Sequence, residues 1–124
     1  ALFTDAVNGF YRRSRIPIGV IRHTKPADPG PYLEVYSHFR TRVDPEKAPE
    51  ALDLIRKVLK ASPDQSVALV QVGFFSNFAR LAQNPEDRAL IQRKVRFLSV
   101  MAGAFTPIDG NARFCEYNVT QDIP

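Results

Sequence analysis

Two near-continuous apolar runs, Val67-Ala68-Leu69-Val70-Gln71-Val72 and Phe97-Leu98-Ser99-Val100-Met101, decide most of what this chain can become. Short runs rich in β-branched and large apolar residues read as strands covered on both faces, the habit of parallel sheets. Between them, Gly73-Phe74-Phe75-Ser76-Asn77 turns the chain into a helical pattern with Phe78, Leu81 and Ala82 on its inner side. Asn84-Pro85-Glu86-Asp87 then opens a second helix, whose stripe is Leu90, Ile91 and Val95. Asn can cap a helix, Pro fits its first position, and acidic residues favour its positive end. Strand, helix and strand in that order imply parallel pairing through a right-handed crossover. The predicted fold class is α/β, an open and mainly parallel sheet with helices on both faces.

The first half is less regular. Asp5 to Tyr11 reads as the end of a helix with Val7, Phe10 and Tyr11 on one side. Ile16-Pro17-Ile18-Gly19-Val20-Ile21 reads as a short strand, with Pro17 suited to a first-residue or edge position. Lys25 to Pro31, three prolines and a glycine, is a loop. Asp44-Pro45-Glu46 predicts a helix start, followed by a stripe of Leu52, Ile55 and Leu59 flanked by Leu54 and Val58. Ser62 to Ser66 breaks that helix, and the tail from Ala102 is punctuated by Gly and Pro.

Composition narrows the class. A chain of 124 residues, 44% hydrophobic and 24% charged, is one ordinary folded domain rather than a disordered one. No apolar stretch approaches the ~18 to 20 residues of a membrane span, so no membrane partner is expected. The opening has no signal-peptide pattern and no initiator Met, so the chain is expected to be a piece of something longer. Cys115, the single cysteine, rules out an internal disulfide and leaves a Cys-based zinc site without partners. One thiol suits the cytosol without forbidding export. His23 and His38 have no ligand spacing.

The net charge of +4 is unevenly placed. Arg12, Arg13, Arg15, Arg22, Lys25, Arg40 and Arg42 outnumber Asp5, Asp28 and Glu34 in the first third, and the rest balances. Arg12, Arg13 and Arg15 beside Phe10 and Tyr11 would suit a basic nucleic-acid-binding module. An excess of this size is modest, and nucleic acid is not the expected partner.

In open α/β sheets, ligands bind beyond the carboxyl ends of the strands. Gly73 to Asn77 and Met101 to Phe105 leave two such ends, and Gly73, Ala102, Gly103 and Ala104 are small enough for close backbone approach. The same residues could equally serve tight turns alone. Neither segment is a dinucleotide or phosphate fingerprint.

These segments carry a resemblance. Val70 to Leu81 resembles the strand, turn and helix of the inosine/uridine-preferring nucleoside hydrolases, where Gly-Pro-Leu-Thr-Asn or a variant follows the strand. Val100-Met101-Ala102-Gly103-Ala104-Phe105 resembles their Val-Met-Gly-Gly strand end, and Cys115-Glu116-Tyr117-Asn118-Val119 their Ala-Glu-Phe-Asn segment. Asp122-Ile123-Pro124 is similar to the Asp-Pro-Glu-Ala that follows, and Asp5 to Asn8 with Ile16 to Val20 to the family's early helix and second strand.

The resemblance implies that residues 1–124 are the central part of a single Rossmann-like nucleoside hydrolase domain. Such enzymes cleave a ribonucleoside to ribose and nucleobase with a bound calcium ion. It assigns ribose contacts to Glu116 and Asn118, whose alternate spacing would put both on one face of an extended segment. Tyr117 and Met101 would line the pocket, Asn111 would reach the sugar, and the main-chain carbonyl of Ser76 would bind calcium. Read without the resemblance, Glu116 and Asn118 are also ordinary loop residues, Met101 is core filling, and Asn118-Val119-Thr120 is a formal glycosylation sequon.

The family's Asp-x-Asp-x-x-x-Asp-Asp run and its later His-Asp pair have no counterpart in these residues. No catalytic residue is therefore assigned, the calcium site is incomplete, and this chain alone is expected to be inactive. A non-catalytic ribose- or nucleoside-binding domain is the alternative. An unpaired sheet edge would favour a homo-oligomer.

Overall fold

The computed structural model describes residues 1–22 and 36–120, so the Lys25–Pro31 loop, His23 and Asp122–Pro124 lie outside the described residues. The chain divides into two compact units, Ala1–Lys57 and Val58–Pro124.

In the first unit, helix α1 (Leu2–Phe10) agrees with the predicted helix end and extends it back to Leu2. Asp5 is buried, and its carboxylate accepts the backbone N–H groups of Arg42 and, at 3.0 Å, Val43. These two hydrogen bonds, more than the nearby Arg42 charge, hold the Asp5 carboxyl below its ordinary pKa against the opposing effect of burial. A depressed carboxyl contributes stability that is present above its unfolded value of about 3.9 and lost as pH falls through the folded value. We therefore expect thermal stability to fall below about pH 4, and Asp5→Asn to flatten that fall in thermal melts at successive pH values. An equally steep fall in the variant would assign the acid sensitivity to other groups.

The predicted strand at Ile16–Ile21 reduces to a single bridge, Val20 with Glu50. The Val20 N–H donates to the Pro49 carbonyl at 2.9 Å, and the Ala51 N–H returns to the Val20 carbonyl at 2.8 Å. Pro17 offers no N–H for a longer ladder. Gly19 is required by the approach itself: a Cβ there would lie 2.8 Å from the Ala51 Cα.

The expected helix start at Asp44 is a single turn. Asp44 accepts the Glu46 N–H with its side chain, and the Lys47 and Ala48 N–H groups with its carbonyl. Pro49 lacks an N–H and disfavours helix at the residue before it, so regular helix begins only at α2 (Ala51–Ala61). Arg22 secures the turn, donating to the Ala48 carbonyl at 2.6 Å and pairing with Glu50 at 3.7 Å. The unit boundary falls inside α2, whose Leu59 is almost fully buried, while Val58 of the expected stripe is exposed.

The second unit carries a two-stranded parallel sheet, β1 (Val67–Gln71) and β2 (Val95–Val100). Ala68 pairs with Phe97, Leu69 with Leu98, Val70 with Ser99 and Gln71 with Val100. The strand entrances are tied by Gln65 N–H to the Arg93 carbonyl and Ser66 N–H to the Lys94 carbonyl. Lys94 also donates to the Ser62 carbonyl and pairs with Asp64 at 2.6 Å. Helices α3 (Ser76–Gln83) and α4 (Pro85–Lys94) form the crossover and pack on each other. As expected, Asn84 caps α4, its Oδ1 accepting the N–H groups of Glu86 and Asp87 at 2.8 and 3.2 Å. Leu81 and Leu90 are buried, Phe78 and Ile91 half-buried, and Ala82, expected inside, is exposed.

One expectation fails clearly. The apolar strands are not covered on both faces: Val70 and Val72 are 61% and 64% exposed, and Phe97, Leu98 and Val100 are exposed as well. On β1, Val67, Leu69 and Gln71 are sheltered while Ala68 and Val70 open outward, so shelter is one-sided. A two-stranded ladder with one crossover has too few layers to enclose residues that alternate between two faces.

Candidate functional site

At the carboxyl ends of β1 and β2, three segments of the second unit come together. Met101 N–H donates to the Gln71 carbonyl at 2.8 Å, continuing the ladder one residue past β2. Gln71 is buried, and its side-chain amide donates to the carbonyls of Gly73 and, at 2.6 Å, Phe74. The clamp fixes the turn that leads from β1 into α3. The Phe74 ring in turn meets Tyr117, with centroids 6.1 Å apart and planes tilted by 39°. A chain of direct contacts thus runs from Met101 through Gln71 and Phe74 to Tyr117, drawn from both strand ends and the tail.

The tail does not present Glu116 and Asn118 as an extended pair. Residues Tyr117–Thr120 form a helical turn, α5, and Glu116 caps it: Oε1 accepts the Asn118 N–H and Oε2 the Val119 N–H, both at 3.0 Å. A carboxylate N-terminal to a helix satisfies free donors and meets the positive end of the helix, which is why this segment curls. Each Glu116 oxygen keeps a further lone pair for another donor. Asn118 is only 7% exposed, unlike the exposed loop asparagines that carry glycans. Tyr117 and Met101 are about half exposed and accessible to a ligand.

Asn111 belongs to a turn of its own. It closes a tight hairpin in which Ile108 and Asn111 exchange backbone hydrogen bonds, with Asp109 and Gly110 both at positive φ. That backbone is what a two-residue Asp-Gly turn requires. The Asn111 Oδ1 accepts the Arg113 N–H at 2.9 Å, so this side chain is occupied locally.

Ser76 is the first residue of α3, and its carbonyl stands in the opening turn. Calcium takes ~6 to 8 oxygen ligands. No group of three or more His, Cys, Asp or Glu suited to a metal ion is found among the described residues. The Ser76 carbonyl by itself supplies one of the oxygens a calcium ion needs. Cys115 is exposed, its thiol directed at the Arg113 carbonyl at 3.6 Å.

Sequence reasoning missed two residues here. Gln71 reads in sequence as part of an apolar run, although one amide in such a run is itself a signal that a buried partner must exist. Phe74 reads as part of a turn, yet its ring meets Tyr117 of the tail. The second unit is thus a small α/β assembly whose polar and aromatic groups converge at the strand ends. Comparison of the chain with protein-family models, curated proteins and solved structures finds no match. No helix among the described residues is long and apolar enough to cross a membrane.

Proposed function

We propose that the strand-end cluster is the ribose-binding part of a nucleoside site, within a Rossmann-like nucleoside hydrolase domain of which these residues are the central part. The observation that carries this reading is the convergence of Met101, the clamped Gly73–Phe74 turn and the Glu116–Asn118 segment at one end of a parallel ladder. Those are the segments the resemblance relates to a nucleoside pocket, and the carboxyl end of a parallel sheet is where such folds bind ligands.

Glu116, held by two backbone N–H groups, directs its remaining lone pairs at vicinal hydroxyls, which donate to it. Tyr117 and Met101 supply apolar surface for the sugar or base. Hydrolysis of the N-glycosidic bond also needs an activated water and support for an oxocarbenium-like ribose. No described residue is assigned to activate that water. A calcium ion, where the whole domain binds one, would need oxygens beyond those described here. Accordingly, these residues bind a nucleoside without cleaving it.

Glu116→Gln tests the assignment. A hydrogen bond to a charged group is worth ~1.5 to 3 kcal/mol, so the variant should bind ribonucleosides roughly 10- to 100-fold more weakly by calorimetry. Unchanged affinity, with an unchanged far-ultraviolet dichroism spectrum, would remove Glu116 from the site. We also propose that the chain self-associates through its uncovered sheet.

A further inference from the structure

The first unit holds a second surface that the nucleoside reading does not use. Along α1, Phe3, Val7, Phe10 and Tyr11 line a cleft of about 200 Å³ with Tyr36 and Phe39. Beside it lies a second cleft of about 260 Å³, which shares Phe10 and Phe39 and is bordered by Ser14, Arg40 and Arg42. Phe10 and Tyr11 are 69% and 68% exposed, their rings 5.1 Å apart and edge to face. An aromatic pair this open costs hydration and is not explained by packing against the described residues of the unit.

The charge around it is equally unspent. The turn after α1 is fixed by hydrogen bonds from Arg12 N–H to the Gly9 carbonyl and Arg13 N–H to the Asn8 carbonyl, and it carries Arg12, Arg13, Ser14 and Arg15. Among the described residues, the guanidinium groups of Arg12, Arg13, Arg15 and Arg40 make no ion pair or side-chain hydrogen bond. Among the described residues of the unit, Asp44 pairs with Lys47, Glu50 with Arg22, and Asp53 with Arg56. Asp5, which lines the second cleft, is turned onto the Arg42 and Val43 amides. Arginine at a helix C-terminus is favourable by itself, but that does not account for the two open rings.

We propose that this face of the first unit binds single-stranded nucleic acid, with bases stacking on Phe10 and Tyr11 and phosphates meeting Arg12, Arg13, Arg15 and Arg40. Aromatic rings that accept any base face, fringed by cations that follow a phosphate backbone, are the two elements of sequence-tolerant single-strand binding. The modest excess of charge over the whole chain understates the attraction, because Arg12, Arg13 and Arg15 directly follow the two rings in sequence and Arg40 borders the cleft that Phe10 lines. The site belongs to the first unit and the strand-end cluster to the second.

The test is fluorescence anisotropy of a labelled oligouridylate of about 12 nucleotides titrated with the whole chain. Binding should weaken with salt with a log-log slope of roughly −2 to −4, the value for three to five phosphate contacts on a single strand. Phe10→Ala and Tyr11→Ala should each weaken binding by roughly 5- to 150-fold, from ~1 to 3 kcal/mol per stacked base. Both rings are exposed, so thermal melts should show these variants folded. Glu116→Gln should leave this binding unchanged, which separates the proposal from the nucleoside reading. No binding at low salt would overturn it, as would binding indifferent to both ring variants. Tighter binding to anionic phospholipid vesicles that depends on the same rings would assign the face to a membrane surface instead.

Discussion

Leu81→Ala is expected to cost the second unit ~3 to 5 kcal/mol, enough to unfold a large part of the population. Leu81 is 0% exposed and sits where α3 packs on α4, with Leu90 as the other buried leucine of the pair. Truncation there removes transfer free energy and leaves a cavity, and two short helices joined through the single residue Asn84 have little freedom to close it. Net stabilities of small domains are only ~5 to 15 kcal/mol, so a loss of this size dominates. Urea unfolding should show a much lower midpoint at an unchanged slope. A loss below about 1 kcal/mol would mean that α3 and α4 are not the core of the unit.

The second large effect is on association. Val70, Phe97, Leu98 and Val100 are exposed on a two-stranded sheet with both outer edges unpaired among the described residues, and Val72 and Met101 are exposed just past the strand ends. Such a sheet presents open backbone donors and acceptors together with apolar side chains, the combination that recruits another strand. The wild-type chain is therefore expected to scatter light as a species heavier than its 14.0 kDa, increasingly so with concentration. Phe97→Lys and Leu98→Lys place a charge on either face of β2, and each should raise the concentration needed for association roughly tenfold or more, about 1.4 kcal/mol. A wild-type chain that stays at the monomer mass when concentrated would contradict this account of the sheet.

What could be read in the sequence was local. Asn84-Pro85-Glu86-Asp87 names its own cap, and the Asn84 side chain does what that pattern requires. The two strands and their parallel pairing follow from runs too apolar for turns and from the helical spacing between them. The errors arose where one residue overrules a pattern. Pro49 cuts the helix promised by Asp44-Pro45-Glu46, and Pro17 limits the Ile16–Ile21 run to one bridge.

Coverage of the strands was not legible, because apolarity records what a segment would gain by burial and not whether a layer stands over it. At the site, the nearness of Met101 to the β1 turn follows from strand order alone. The contact of Phe74 with Tyr117 could not be read, since it joins residues far apart in sequence. Glu116 illustrates the difficulty best. The carboxylate that the resemblance relates to a sugar caps α5, a role that the Glu-Tyr-Asn spacing does not announce.

The most direct test of the central claim is a titration of the isotopically labelled chain with a ribonucleoside, its free base and its 2′-deoxy counterpart, following backbone amide resonances. The account predicts shifts at Gly73, Phe74, Met101 and Glu116 to Asn118 with the ribonucleoside, weaker ones with the deoxynucleoside, and none with the base. Shifts confined to the first unit, or none at the strand ends, would contradict it.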